Sequence, residues 1–293
     1  MTDRAAMPGM LVIVGTPLGN RDDLSPRGRA AILGADLLLC EDTRSPVRLL
    51  GDGVTLPPRR SCFVGNEHER VGELLVALRD GKTVAYVSEA GMPCWSDPGQ
   101  RLVAAALAAG FEVDVVPGPT AMATAVAWSG LPADEVRYCG FPARGGKARS
   151  DWLASLVDER ATVVCYEAAN RTAALVADLA RTLPDADTRA IVIARELTKL
   201  HQNAIRGTVA GLAAEALTGL LGEVTVVLAP ARPREHDPVR AAAVATLEAL
   251  LDAGLKPRER ARRLAALTGL PARELYARLG HGGDAPPHDD DSP

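Results

Sequence analysis

Four short stretches of this 293-residue sequence follow apolar runs and carry residues suited to holding a ligand. They are Thr16 to Asn20 (TPLGN), Ser88 to Pro93 (SEAGMP), Pro117 to Thr120 (PGPT) and Arg195 to Lys199 (RELTK). Glycine lets a backbone approach a bound group closely, and proline fixes the turn beside it. Together the loops suit a flat, polar, modestly charged ligand gripped largely by main-chain groups. Any one of them also reads as an ordinary tight turn, so the argument rests on all four recurring at equivalent strand ends. The densest is VAYVSEAGMPCWSDPG, Val84 to Gly99, where a core run gives way to Glu89, Gly91, Pro93, Trp95 and an Asp-Pro-Gly turn. Trp95 is expected to fill the core beneath this loop rather than wall a cleft.

The elements that must position these loops can be read from apolar pattern and turn signals. Leu11 to Val14, Asp36 to Cys40, Val84 to Val87 and Val113 to Val116 read as strands. Helices are expected over Ser25 to Leu33, with Ser25 as N-cap and Pro26 at the first helical position, over Glu67 to Arg79, and over Gln100 to Ala109. Alternating strands and helices predict parallel βαβ units. The uninterrupted apolar strands agree, because parallel strands are buried on both faces. In open parallel sheets ligands bind beyond the carboxyl ends of the strands, where these loops lie.

A second α/β unit starts near Leu131, with strands at Tyr138 to Phe141, Thr162 to Tyr166, Ala190 to Ala194 and Glu223 to Leu228. Helices over Asp151 to Val157 and Thr172 to Arg181 lie between them. Ala229 to Pro238 is a proline-rich charged linker. Short helices over Val239 to Leu251, Pro257 to Leu267 and Pro271 to Leu279 form a small appendage. The expected architecture is therefore α/β: two α/β domains over 1–123 and 124–230, a linker and helical appendage over 231–280, and a disordered tail over 281–293.

Composition bounds the function. Hydrophobic residues make up 47% and charged residues 24%, enough for a sizeable core, and aromatics only 3%. The net charge of −4 excludes a protein that is basic all over, though not one with a basic patch. Cys40, Cys62, Cys94, Cys139 and Cys165 have no zinc-site or C-x-x-C spacing and read as reduced thiols. No leader pattern or membrane-length apolar run is present, so a cytoplasmic protein is expected. GTPLGN is not the dinucleotide fingerprint, and GFPARGGKA has neither the spacing nor the Ser or Thr of a phosphate loop. No metal-binding or nucleophile-elbow motif occurs.

The chain resembles the tetrapyrrole methylase superfamily, and within it the branch that methylates ribosomal RNA. The resemblance rests on VGTPLGN (Val14 to Asn20), EDTR (Glu41 to Arg44), VSEAGMPCWSDPG, VVPGPTA (Val115 to Ala121) and SGLP (Ser129 to Pro132). It continues in YEAANR (Tyr166 to Arg171), RELTKLH (Arg195 to His201) and RGT (Arg206 to Thr208). It covers Leu11 to Leu279 in order, with EDTR and RELTKLH specific to the branch. It implies S-adenosylmethionine in a cleft between two domains, a homodimer, and methylation of the 2′-hydroxyl of a decoding-centre cytidine in 16S ribosomal RNA of the small ribosomal subunit. The cofactor positions it implies are Pro17, Gly19, Asn20, Ser88, Glu89, Ala90, Gly91, Pro117, Gly118, Thr120 and Ala121, with Glu167 and Leu197 from the second domain. The sequence departs from the pattern at Glu89 (usually Asp), at Met92 (usually Thr), at the CWS stretch, in YEAANR and in GFPAR.

Methyl transfer from a sulfonium is an in-line displacement that needs alignment and electrostatics but no metal. A ribose hydroxyl is a weak nucleophile, so a positioned base would help. Candidates are Glu41, Asp42, Glu89, Glu196 and Lys199. Glu89 is assigned to cofactor binding, and Glu41, Asp42, Arg195 and Lys199 to the substrate side. Each has an alternative as a partner in a local ion pair. RNA contacts are expected from Arg44, Arg48, Arg59, Arg60, Arg144, Lys147 and Arg149, and the appendage adds Arg258, Arg260, Arg262 and Arg263. Two rival readings stay open: a same-fold methylase acting on a small molecule such as a tetrapyrrole, and a non-catalytic RNA-binding assembly factor.

Overall fold

A computed structural model of the chain describes residues 9–51, 53–215, 217, 219–232, 247 and 255–279. It divides into two compact units, Met1–Arg232 and Pro233–Pro293.

The first unit holds two five-stranded sheets. Strands β1 (Met10–Val14), β2 (Leu37–Cys40), β3 (Arg59–Ser61), β4 (Thr83–Val87) and β5 (Glu112–Val116) form the first, all parallel, in the order β3-β2-β4-β1-β5. Between them run α1 (Pro26–Gly34), α2 (Ser45–Leu50), α3 (Glu67–Arg79) and α4 (Gln100–Ala108). Alternate strand residues feed two cores. Leu11, Ile13, Leu39 and Tyr86 pack with Leu74, Leu78 and Leu102 on one face. Val12, Val14, Leu38 and Ala85 pack with Ile32 on the other. Burial on both faces explains why these strands read as unbroken apolar runs. Ser25 caps α1 as expected, its hydroxyl accepting from the Gly28 amide at 2.9 Å. The three-residue edge strand RRS at β3 and the short helix α2 left no apolar pattern to read.

The second sheet contains β6 (Val136–Tyr138), β7 (Thr162–Ala168), β8 (Ala190–Arg195), β9 (Asn203–Thr208) and β10 (Glu223–Leu228), ordered β6-β7-β10-β8-β9. Here the parallel expectation needs correcting. Only β6 and β7 pair in parallel; β10 runs antiparallel to both β7 and β8, and β9 antiparallel to β8. The apolar run of β10 is buried like a parallel strand, so its pattern carries no sign of its direction. The strand expected over Tyr138 to Phe141 ends at Tyr138, because Gly140 adopts φ +59° and turns the chain. Helices α6 (Gly146–Ser155), α7 (Ala169–Thr182) and α8 (Val209–Ala214) supply Leu153, Leu175, Val176, Leu179 and Leu212 to one face. Helix α5 (Ala121–Ser129) supplies Ala125 to the other, against Val164, Val192 and Val227. The crossing from one sheet to the other is thus the Pro117–Thr120 loop.

Arg189 is fully buried and was not anticipated. Its guanidinium donates to the carbonyls of Leu156 and Ala229, both at 2.7 Å, and of Glu159 at 3.4 Å. It ties β8 to the ends of α6 and β10.

In the second unit, helices Pro257–Thr268 and Ala272–Arg278 pack Ala261 and Leu264 against Leu275 and Tyr276. The helix expected over Val239 to Leu251 falls, apart from Leu247, outside the described residues, as do most of the linker and the whole 281–293 tail. No helix among the described residues is long and apolar enough to cross a membrane.

Candidate active site

The three loops of the first sheet leave adjacent strands β4, β1 and β5, so pairing alone brings them together. Main-chain bonds lock them. Thr16 N–H donates to Gly91 O at 2.8 Å and Gly91 N–H to Thr16 O at 3.1 Å. The loops meet backbone to backbone: a Cβ on Gly15 would lie 2.5 Å from the Gly118 nitrogen, and one on Gly118 2.8 Å from the Gly15 carbonyl carbon. The Gly118 amide points at the Met92 sulfur, 3.2 Å away. Thr120 caps α5, accepting from the Ala123 amide at 3.2 Å.

The second sheet closes the same space. Because β10 is antiparallel to β7 and β8, its first residues lie beside their last ones, pairing Val224 with Glu167 and with Arg195. The loop after β8 reaches the loop after β1: Asn20 N–H donates to Thr198 Oγ1 at 3.1 Å, and the Lys199 stem packs on Gly19. Met122 N–H donates to the Tyr166 hydroxyl at 3.2 Å. Among the described residues, four non-glycine residues sit in the left-handed region, and all lie in these loops: Cys94 (φ 69°), Ser96 (61°), Glu196 (48°) and Thr198 (64°). Such conformations cost energy and persist only where surrounding contacts impose them, typically at functional sites.

Between the loops lies a cavity of about 430 Å³. Of the residues expected to hold a cofactor, Glu89, Ala90, Gly91, Thr120, Ala121 and Glu167 line it. Pro17, Gly19, Asn20, Ser88, Pro117, Gly118 and Leu197 are not in its wall. The wall also holds Leu18 and Met92, both within the strand-end loops read from the sequence, and Ser96, Asp97, Tyr166 and Glu223, which are not among the expected cofactor positions. Asp97 was legible in principle, as the acid of the same strand-end loop as Glu89. Trp95 corrects the core-filler expectation: it lines the cavity and is 44% exposed, its ring centroid 5.2 Å from that of Tyr138.

The charges around the cavity sort into fixed and unfixed groups. Asp42 receives the Arg44 side chain and backbone and faces Arg48, which holds its carboxyl down at about 2. Glu89 accepts from Ser45 Oγ at 2.8 and 2.9 Å and from the Asp42 amide at 3.1 Å, so it braces the loop after β2 as well as lining the cavity. Glu196 is lowered first by the Glu223 amide and then by Lys199. Burial alone would lower Lys199, but its bonds to Glu196 at 3.1 Å and Glu223 at 3.2 Å outweigh that and keep it charged. Arg195 donates to the Leu221 carbonyl at 3.1 and 3.3 Å. Glu167 is buried against Arg171 at 2.6 Å.

Glu41 and Asp97 differ from these. One Glu41 oxygen is buried with no partner among the described residues. Burial, then the neighbouring Asp97 charge, raises the Glu41 pKa. Burial likewise raises Asp97, partly offset by a hydrogen bond from Ser88. Burial also pushes the Cys94 thiol up to about 11, which keeps it an unreactive thiol near neutrality.

The basic residues divide too. Arg44, Arg48, Arg60, Arg144 and Lys147 are exposed, although Arg44 and Arg48 lean on Asp42 and Lys147 pairs with Asp151 at 2.7 Å. Arg149 is turned inward, tied to Asp178 at 2.6 Å and to the Ala143 carbonyl, so it anchors α6 rather than facing a partner. No cluster of potential metal ligands occurs among the described residues.

Comparison with known proteins places this arrangement. The family model described as Tetrapyrrole (Corrin/Porphyrin) Methylases matches residues 10–213. A Mycobacterium bovis protein described as ribosomal RNA small subunit methyltransferase I is 41% identical over 288 residues, 95% of this chain and 99% of its own length. A Thermotoga maritima protein of the same description is 42% identical over 225 residues, 75% of this chain and 98% of its own. Among solved structures, a cobalt precorrin-4 methyltransferase of cobalamin biosynthesis superposes with a TM-score of 0.58 at 17% identity, over 75% of this chain and 94% of its own. A Thermus thermophilus uroporphyrin-III C-methyltransferase complexed with S-adenosyl homocysteine gives 0.53 at 19% identity, over 75% and 96%. At those identities the solved structures share the fold.

Proposed function

We infer the function from one premise: the chain belongs to the tetrapyrrole (corrin/porphyrin) methylase family. Its reaction is the methylation, with S-adenosylmethionine, of the 2′-hydroxyl of a decoding-centre cytidine in small-subunit ribosomal RNA. The observation that carries the RNA substrate is the near end-to-end match to relatives described as ribosomal RNA small subunit methyltransferase I. The alternatives are a small-molecule substrate of the tetrapyrrole kind and an assembly factor without activity.

The cavity fits the cofactor. Its volume falls in the range of small-molecule sites, roughly 300–1,000 Å³. Among the described residues its wall carries Glu89, Asp97, Glu167 and Glu223 and no lysine, arginine or histidine, which suits a ligand bearing a sulfonium and an ammonium. Ala90, Gly91 and Ala121 leave main chain accessible to it. Bound there, S-adenosylmethionine supplies an activated methyl group.

The chain's own residues supply alignment and a destination for the hydroxyl proton. Asp97 is the preferred base because it lines the cavity and its raised pKa makes it more basic than an ordinary carboxylate. Glu41 is a second carboxyl of raised pKa, with one oxygen lacking a partner among the described residues. Asp42, held at about 2, is too weak a base, and Lys199, held charged between Glu196 and Glu223, cannot accept the proton. Arg195 positions the Leu221 segment beside Glu223.

The test is methyl transfer by purified protein to assembled small subunits and to a porphyrin precursor, followed by mapping of the ribose methyl group. Labelling of one cytidine ribose is expected. Labelling of the porphyrin alone replaces the RNA reading, and folded protein that binds no S-adenosylmethionine favours the assembly-factor reading. A homodimer is expected as the working form, and light scattering at the protomer mass would exclude it.

A further inference from the structure

The chain has three tryptophans, four tyrosines and three phenylalanines, and four of these ten form one contiguous cluster at the cavity. Trp95 and Tyr138 have ring centroids 5.2 Å apart, Tyr138 and Tyr166 5.2 Å, and Tyr166 and Phe141 5.5 Å. They come from three separate segments: the loop after β4, the end of β6 with its following turn, and β7. Tyr138 packs on the core of the second sheet with Val164 and Val192, but among the described residues Trp95, Phe141 and Tyr166 belong to none of the hydrophobic cores, so core filling does not account for them.

Tyr138 and Tyr166 are half-buried, but the outer two rings of the cluster are exposed. Trp95 is 44% exposed and Phe141 59%. Exposed rings on a cavity wall mark a surface awaiting a flat partner. The backbone is set to hold them there. Trp95 lies between Cys94 and Ser96, both left-handed, so strain on either side fixes its direction. The Ser96 hydroxyl and the Tyr138 hydroxyl share a 2.6 Å hydrogen bond that ties the loop to β6. Gly140, with φ +59°, turns Phe141 out of the strand direction.

We propose that Trp95 and Phe141 form a stacking platform for an unpaired base of the RNA substrate, placed where its ribose faces the cavity. This rests on the ribosomal RNA reading above. Proteins that recognise RNA by sequence splay bases from single-stranded regions and stack them on aromatic rings. Arg144, three residues beyond Phe141, is exposed and has no ion-pair partner among the described residues, which places a phosphate-seeking charge beside the platform.

The test uses the full chain with Trp95→Ala, Trp95→Phe, Trp95→Leu and Phe141→Ala. S-adenosylmethionine affinity is measured by calorimetry, and kcat/KM with assembled small subunits. Loss of a stacked base predicts about a tenfold or greater fall in kcat/KM for Trp95→Ala, well beyond any fall in cofactor affinity from the altered cavity wall. Phe at position 95 restores most of the loss and Leu does not, because a packing role would accept Leu and a stacking role requires a ring. Rescue by Leu overturns the platform, and so does unchanged kcat/KM in Trp95→Ala. A fall in cofactor affinity matching the loss of kcat/KM also overturns it, by assigning the rings to the cofactor. Wild-type protein that methylates no RNA removes the functional reading together with the platform, whereas active wild type with an unaffected Trp95→Ala removes the platform alone.

Discussion

At the scale of single residues, the contrast between fixed and unfixed acids decides roles. Glu41, Asp42, Glu89 and Glu196 all look like candidate bases in the sequence, because residue type says nothing about partners. Three of them are occupied: Asp42 by Arg44, Glu89 by Ser45, Glu196 by Lys199. Asp97→Asn should therefore lower kcat by at least about a hundredfold, with a smaller effect on S-adenosylmethionine affinity. The acid limb of the pH–rate profile should lie above an ordinary carboxylate value, since Asp97 is raised, and Glu223→Gln should move it to lower pH by removing a like charge. Equality of Asp97→Asn and wild type in single-turnover assays would dismiss Asp97 as the base. Glu41 makes a separate prediction about stability. Its folded pKa is raised, so its contribution is fully present below the unfolded carboxylate pKa and lost as pH rises through the folded value. Glu41→Gln should be more stable than wild type near neutrality, by about 1 kcal/mol or less given its partial exposure, and the gain should vanish below about pH 4. Urea midpoints at the two pH values check this.

At the scale of elements, backbone geometry sets the site. The loops after β1 and β5 approach so closely that neither Gly15 nor Gly118 has room for a methyl group. Gly15→Ala should destabilise the protein by about 1–3 kcal/mol and weaken cofactor binding, because the loops must separate. Gly34→Ala, at the end of α1 with nothing within 4 Å of a Cβ, is the matched control and should be neutral or slightly stabilising. Equal denaturation midpoints for the two variants would contradict the close-packing argument. Much at this scale was legible. Helix α3 runs over Glu67–Arg79 and β10 over Glu223–Leu228, both as their apolar patterns indicate. Edge strand β9, NAIRGT, was missed because it pairs on one side only and has no apolar run to detect. Arg189 was missed because a buried arginine is recognised by the carbonyls it meets, and those come from residues 30 to 40 positions away.

At the scale of the whole molecule, both sheets lie in the unit Met1–Arg232, and the family model ends within it at residue 213. The match to the Thermotoga maritima relative spans almost all of that protein while leaving a quarter of this chain unmatched. A chain ending at Arg232 should therefore bind S-adenosylmethionine with an affinity within about threefold of full length, or about 0.6 kcal/mol. Calorimetry on the truncated protein checks this, and a folded fragment that no longer binds would give the C-terminal unit a direct part in the site.

The sequence by itself determined the local elements, the four strand-end loops and the family, because these depend on patterns within a few residues and on motifs in fixed order. It could not determine which side chains face the cavity. That depends on the direction of β10, which pairs Glu223 with Ala168 and Val224 with Glu167 at the cavity, and on the left-handed turns around Trp95, which carry an indole expected in the core out to the cavity wall. It also could not separate a working acid from a structural one. Burial and hydrogen-bond partners decide that, and both come from residues distant in the chain: Glu41 and Asp97 meet only because β2 and β4 are neighbours in the sheet.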